Sequence, residues 1–214
     1  MEDELVRTGS SIAEKKGRPV CSGSGWAALE NLRRNRAGQA SLGFLMGFEE
    51  SCLDEEQRPW AELLDNGMLP YSPPLATPVS YMIQKEWKEL LEASLDVGRG
   101  DHWHSWLHVG IMRFAAGDFT GAEEAWRKSL TLEPSPWAMR NLAVSRMAQG
   151  DFSGAVGLLL EAHGMLPNEA SILKELLDAL MKAGRLRDAI GMYEGLPREF
   201  KDSGRVRLRK TKRI

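Results

Sequence analysis

The chain has 214 residues, room for one domain or two modest ones, and its 43% hydrophobic and 27% charged residues exclude a mainly disordered, collagenous or coiled-coil chain. Twenty-eight Lys and Arg against 30 Asp and Glu give a net charge of −2, without the basic excess that a nucleic-acid binder brings to phosphate backbones. Two cysteines, Cys21 and Cys52, are too few for a disulfide framework and read as inert thiols; with no apolar leader and no run near the roughly 18 apolar residues of a membrane span, the expected setting is soluble and cytoplasmic.

Residues 1–25 are polar with Gly and Ser clusters and read as a flexible lead-in. Residues 26–100 read as an irregular helical segment. Within it a short helix is expected from Trp26 to Arg36, and a second around Glu55 to Leu64, entered through Arg58 and Pro59 and closed by Asn66 and Gly67. PYSPPLATP from Pro70 holds four prolines in nine residues, which favours an extended crossing over a helix. Trp87, Leu90 and Leu91 then form one apolar face of a helix from about Gln84 to Leu95, broken by GRGD from Gly98 and expected to cap the following array.

Residues 101–197 carry an internal repeat. FAAGDFTGAEEAWRKSLTLEP from Phe114, MAQGDFSGAVGLLLEAHGMLP from Met147 and MKAGRLRDAIGMYEGLP from Met181 align, with Gly117, Gly150 and Gly184 spaced 33 and 34 residues apart, as are Ala122, Ala155 and Ala189. A period of about 34 belongs to a helix-turn-helix solenoid. Apolar residues at helical steps on either side of each glycine predict two amphipathic helices per unit. The glycine supplies a helix end tolerant of positive φ, Asp118 and Asp151 are candidate N-caps of the second helix, and Pro134 and Pro167 stop it. Small residues (Gly110, Ala122 and Ser129, then Ala143, Ala155 and Ala162) fall where paired helices approach closely, with Trp126, Leu159 and Tyr193 as their large partners. Residues 198–214 read as a fourth unit cut short or as a basic tail.

The segment WLHVGIMRFAAGDFTGAEEAWRKSLTLEP resembles a tetratricopeptide repeat: Trp106, Val109, Gly110, Ala122, Trp126, Ser129 and Pro134 take the family's pattern positions, with Arg113 where the pattern has Tyr. Leu142, Ala143, Ala155, Leu159, Ala162 and Pro167 carry the second unit; the third departs, with Leu177 in the small-residue place. SGSGWAALE, YMIQKEWKELLEASL and the WAMRNLAV continuation are together similar to the C-terminal half of bacterial tetratricopeptide proteins that begin with a β-rich domain of unknown function. The resemblance implies an all-α, α-α superhelix, and proteins of that kind look like carbohydrate-utilisation proteins.

No catalytic constellation stands out, and no cofactor is expected. Ser22 to Ser24 lack the strand-turn-helix context of a nucleophile elbow, and Glu123 and Glu124 read as surface charges. His102, His104 and His108 are metal-like only in spacing, since no Cys, Asp or Glu at Trp103 to Ile111 supplies the remaining ligands. The groove is the better candidate. In an array of helix pairs the first helices line the concave surface. By register the positions exposed there are His104, His108 and Ile111, then Trp137, Arg140, Asn141 and Val144, then Lys174 and Asp178. Arg140 can fork onto a carboxylate and Asn141 can pair with a peptide backbone. The resemblance supports peptide binding, although Leu107 and Ile111 stand where the chaperone-binding subclass has its basic carboxylate clamp. The expected function is therefore a non-catalytic interaction or scaffold module for a protein or peptide segment, with a homodimer through the exposed C-terminal repeat as a further expectation. The alternative is a detached C-terminal part of a bacterial carbohydrate-active protein, packed on a separate β-rich catalytic domain.

Overall fold

The computed structural model describes residues 25–42, 48 and 50–196, and every described element is helical. Of the expected lead-in only Gly25 is described, and it opens the first helix; the expected cut-short unit or basic tail lies outside the described residues. The chain divides into two compact units. Of the described residues, the first takes those up to Pro70 together with Val79–Tyr81 and Glu89–Gly100, and the second takes Tyr71–Pro78, Met82–Lys88 and those from Asp101 on.

In the first unit, α1 (Gly25–Arg36) buries Ala28 and Leu29, and Glu30 receives both Arg33, at 2.7 Å, and Arg34, at 2.9 Å. A 3-10 turn at Glu50–Cys52 precedes α2 (Arg58–Asn66). Pro59 sits in the first turn of α2, where its missing N–H costs nothing, and Gly67 at φ 68° closes the helix by donating its N–H to the Leu63 carbonyl. Trp60 is fully buried and donates its indole N–H to the Ser80 carbonyl at 3.0 Å. Cys52 corrects the reading of inert thiols, because it is joined in a disulfide; Cys21, the chain's other cysteine, lies outside the described residues. Helix α3 (Lys85–Asp96), whose residues up to Lys88 count with the second unit, buries Trp87 and Leu91, while Leu90, expected on the same face, is exposed.

The second unit holds three successive helix pairs: α4 (Trp103–Ala115) with α5 (Phe119–Leu132), α6 (Pro136–Ala148) with α7 (Phe152–Met165), and α8 (Ala170–Lys182) with α9 (Leu186–Gly195). The turn chemistry explains the spacing. Gly117, Gly150 and Gly184 take φ of 85°, 82° and 75°, a left-handed conformation that other residues adopt only at a steric cost. The second helices of the first two pairs then start on an aspartate: Asp118 accepts from the Gly121 N–H and Asp151 from the Gly154 N–H, both at 2.9 Å. That carboxylate lies so close over the helix start that a Cβ on Gly121 or Gly154 would be within 3.0 Å of it. The third pair reverses the arrangement, with Arg185 at the cap position paired to Asp188 three residues on, at 2.6 Å.

Packing follows the small-large alternation. Trp103, Leu107, Ala122, Trp126, Trp137, Ala138 and Leu142 form one buried cluster across α4, α5 and α6, and a second runs from Ala143 to Ala189 across α6 to α9. Gly110 allows the closest approach: a Cβ there would lie 2.8 Å from Trp126 Cε2 and nearer still to Cδ1 and Nε1. The Trp126 N–H donates to the Leu107 carbonyl at 3.1 Å, and the buried Ser129 hydroxyl donates to the Trp103 carbonyl at 2.7 Å.

Candidate interaction surfaces

The first helices α4, α6 and α8 are neighbours in order, α4 packing on α6 and α6 on α8. Arg140 of α6 reaches Glu175 of α8 in a two-pronged pair, Nε to Oε2 at 2.8 Å and Nη2 to Oε1 at 2.5 Å, with both side chains about one-fifth exposed. The fork expected for a partner's carboxylate is thus filled from within the chain. Asn141, Val144 and Asp178 are half-buried and Lys174 is exposed. Asp178 pairs with Lys182 at 2.8 Å.

The expectation for His104 and His108 is corrected. Both are fully buried rather than open to a groove, and Trp137, expected to offer a flat open surface, is 6% exposed. The two imidazoles meet edge to face, ring centres 4.8 Å apart, with Nε2 to Nε2 at 3.2 Å. One nitrogen must donate and the other accept, so the contact requires at least one neutral ring. Burial, and secondarily the charge His104 would carry, hold the His108 imidazole well below its ordinary range. Among the described residues no group of three or more His, Cys, Asp or Glu could hold a metal ion. Trp103, beside these histidines in the chain, is buried as well.

Two features escaped the sequence reading. Glu123 is no simple surface charge: its side chain is 12% exposed and accepts from Ser145 of α6 at 2.8 Å, from Gln149 at the C-terminal cap of α6 at 2.7 Å, and from Arg127 at 2.6 Å. Burial raises its pKa, but the hydrogen bonds from Ser145 and Gln149 and the Arg127 charge outweigh that and hold it below the usual carboxylate range. The second feature is where the proline-rich segment packs: expected as an extended crossing, it is non-helical with a turn closed by the Ala76 N–H on the Pro73 carbonyl at 2.9 Å, and it lies against helix ends of the second unit. Ser72 accepts the Trp103 indole N–H at 2.7 Å, the Tyr71 hydroxyl meets Glu133 at 3.0 Å, and the Tyr71 ring stands edge-on to His102 at 5.7 Å. Further on, Leu75 and Thr77 join Trp137 and the turn Leu166–Glu169 around a cleft of about 260 Å³.

Among the described residues no helix is long and apolar enough to cross a membrane. No curated protein matches the chain. Residues 110–170 and residues 146–211 each match a family model described as a tetratricopeptide repeat, and the two matches overlap over residues 146–170, which hold α7. Three helix pairs at this period, with the small-large packing of Gly110 on Trp126 in the first of them, and two family matches together make the chain a tetratricopeptide repeat protein.

Proposed function

We propose that this repeat array acts as a non-catalytic protein-interaction module whose partner lies along the strip formed by the first helices. The observation that carries the reading is the arrangement around Arg140: a half-buried ion pair joins the first helices of successive repeats, with Asn141 and Lys174 beside it on the open side. A strip fixed in this way meets a ligand with little ordering cost on the protein side. Because Glu175 already occupies the Arg140 fork, a neutral main chain bonding to Asn141 suits the strip better than an acidic segment, which would have to displace Glu175 first.

The test begins with a photo-crosslinker placed at Lys174 in the full chain to capture and identify the partner, followed by affinity and melting measurements on variants. Asn141→Ala should lower partner affinity by a factor of about 2 to 12, the equivalent of one hydrogen bond, with melting unchanged. Glu161→Ala on the exposed side of α7 should leave affinity alone. Unchanged affinity with a lowered melting point in Asn141→Ala would make this residue structural and remove the strip as the binding surface.

A further inference from the structure

The cleft edged by Leu75 and Thr77 has the size and chemistry of a second binding site. Its walls combine the apolar Leu75, Leu166 and Pro167 with the amide of Asn168 and the carboxylate of Glu169, and Trp137 closes one side. At about 260 Å³ it falls below the range of drug-sized pockets, and it matches one residue or two of a peptide. A second observation points to a ligand. The Trp137 indole N–H and the Ser135 hydroxyl, two residues apart at the start of α6, are buried with no hydrogen-bond partner among the described residues. Folded proteins seldom leave such donors unpaired, and two at one helix start share the need for an acceptor.

We propose that this cleft takes an apolar residue of an extended peptide segment from a partner protein. The side chain lies between Leu75, Leu166 and Pro167, and the main-chain carbonyl of that residue accepts from the buried, unpaired Trp137 indole N–H. The acceptor is a neutral amide carbonyl rather than a chain-terminal carboxylate, because Glu169 in the wall opposes a second negative charge. This site is separate from the Asn141 and Lys174 strip, so either can stand without the other.

The probe is N-acetyl-L-leucine N-methylamide, titrated into the full ¹⁵N-labelled chain while the indole N–H resonances of its seven tryptophans are followed. The Trp137 signal is identified by its absence in Trp137→Phe. The expected result is a saturable shift of that signal, and binding at least roughly tenfold weaker for N-acetyl-L-leucine as the free acid. Leu75 is 54% exposed, so Leu75→Ser should weaken the probe with no change in melting or in the other indole signals. Asn141→Ala should leave probe binding as it was, which separates this site from the strip. A Trp137 signal that stays still, one that responds equally to N-methylacetamide, or one held by an ordered water in magnetisation exchange with solvent overturns the proposal.

Discussion

Replacing Gly110 by Ala tests the helix register at its tightest point. In an open helix the change would stabilise by about 1 kcal/mol, since glycine is a poor helix former. Here the new methyl group would collide with the Trp126 indole, which is 3% exposed and hydrogen-bonded to the Leu107 carbonyl. Overpacking of this kind costs about 1–3 kcal/mol, and displacing the indole from its acceptor costs about 1 kcal/mol more. The net loss is about 1–3 kcal/mol. At about 2–4 °C per kcal/mol for a chain of this size, Gly110→Ala should melt roughly 2–12 °C lower. Gly157 is the control: it lies on the exposed side of α7, and an added Cβ would meet nothing within 4 Å. Gly157→Ala should raise the melting temperature by about 2–4 °C. Thermal melts followed by circular dichroism at 222 nm, a standard helix wavelength, read both. Because the expected signs are opposite, a Gly110→Ala variant that melts at or above the parent would refute the proposed contact between α4 and Trp126.

Two further outcomes follow from burial and packing. The folded His108 resists protonation, so its contribution is complete above the unfolded imidazole pKa of about 6.5 and is lost as pH falls below it, since the unfolded chain then binds a proton that the folded chain refuses; the urea midpoint should drop between about pH 7.5 and 5.5, and His108→Gln should flatten that slope, whereas a midpoint that holds in the parent contradicts the burial. In the third pair α9 packs on α8 and leaves Leu186 57% and Ile190 49% exposed, so amide exchange in residues 186–195 should outpace that of α4 to α7, and equal protection would mean that this face is covered in solution.

The repeat was legible because its determinants are local. Gly117 and Gly150 at a fixed period, each followed by Asp118 or Asp151, fix where one helix ends and the next begins, and those contacts span three residues or fewer. Gly67 and Pro59 mark the bounds of α2 in the same way. The candidate surface was less legible, because burial on α4 depends on a segment distant in sequence. Trp103 is held by Ser72, 31 residues earlier, and no periodicity within α4 carries that contact. His104 and His108 therefore looked like open positions when placed by register alone. Arg140 was placed on the right helix, but its partner Glu175 lies 35 residues on, just over one repeat away, so the pairing required reading the charges of adjacent units against each other. Glu123 was misjudged for a related reason: its acceptor role faces Ser145 and Gln149 of the next repeat, whereas its sequence neighbours suggested only solvent.

The paired residues at the start of each second helix limit how freely these repeats could be exchanged or recombined. Asp118 with Gly121 and Asp151 with Gly154 form one compatible set, since the tucked carboxylate leaves no room for a side chain three residues later. Arg185 with Asp188 is the other set, with the charge order inverted. A hybrid unit that took its cap from one set and its third position from the other would put two carboxylates over a single turn, or leave an arginine beside a glycine with nothing to hold it. The smallest portable piece of this array is therefore the four-residue start of the helix rather than any one of its positions, and grafting a repeat into another array requires that both ends of that piece travel together.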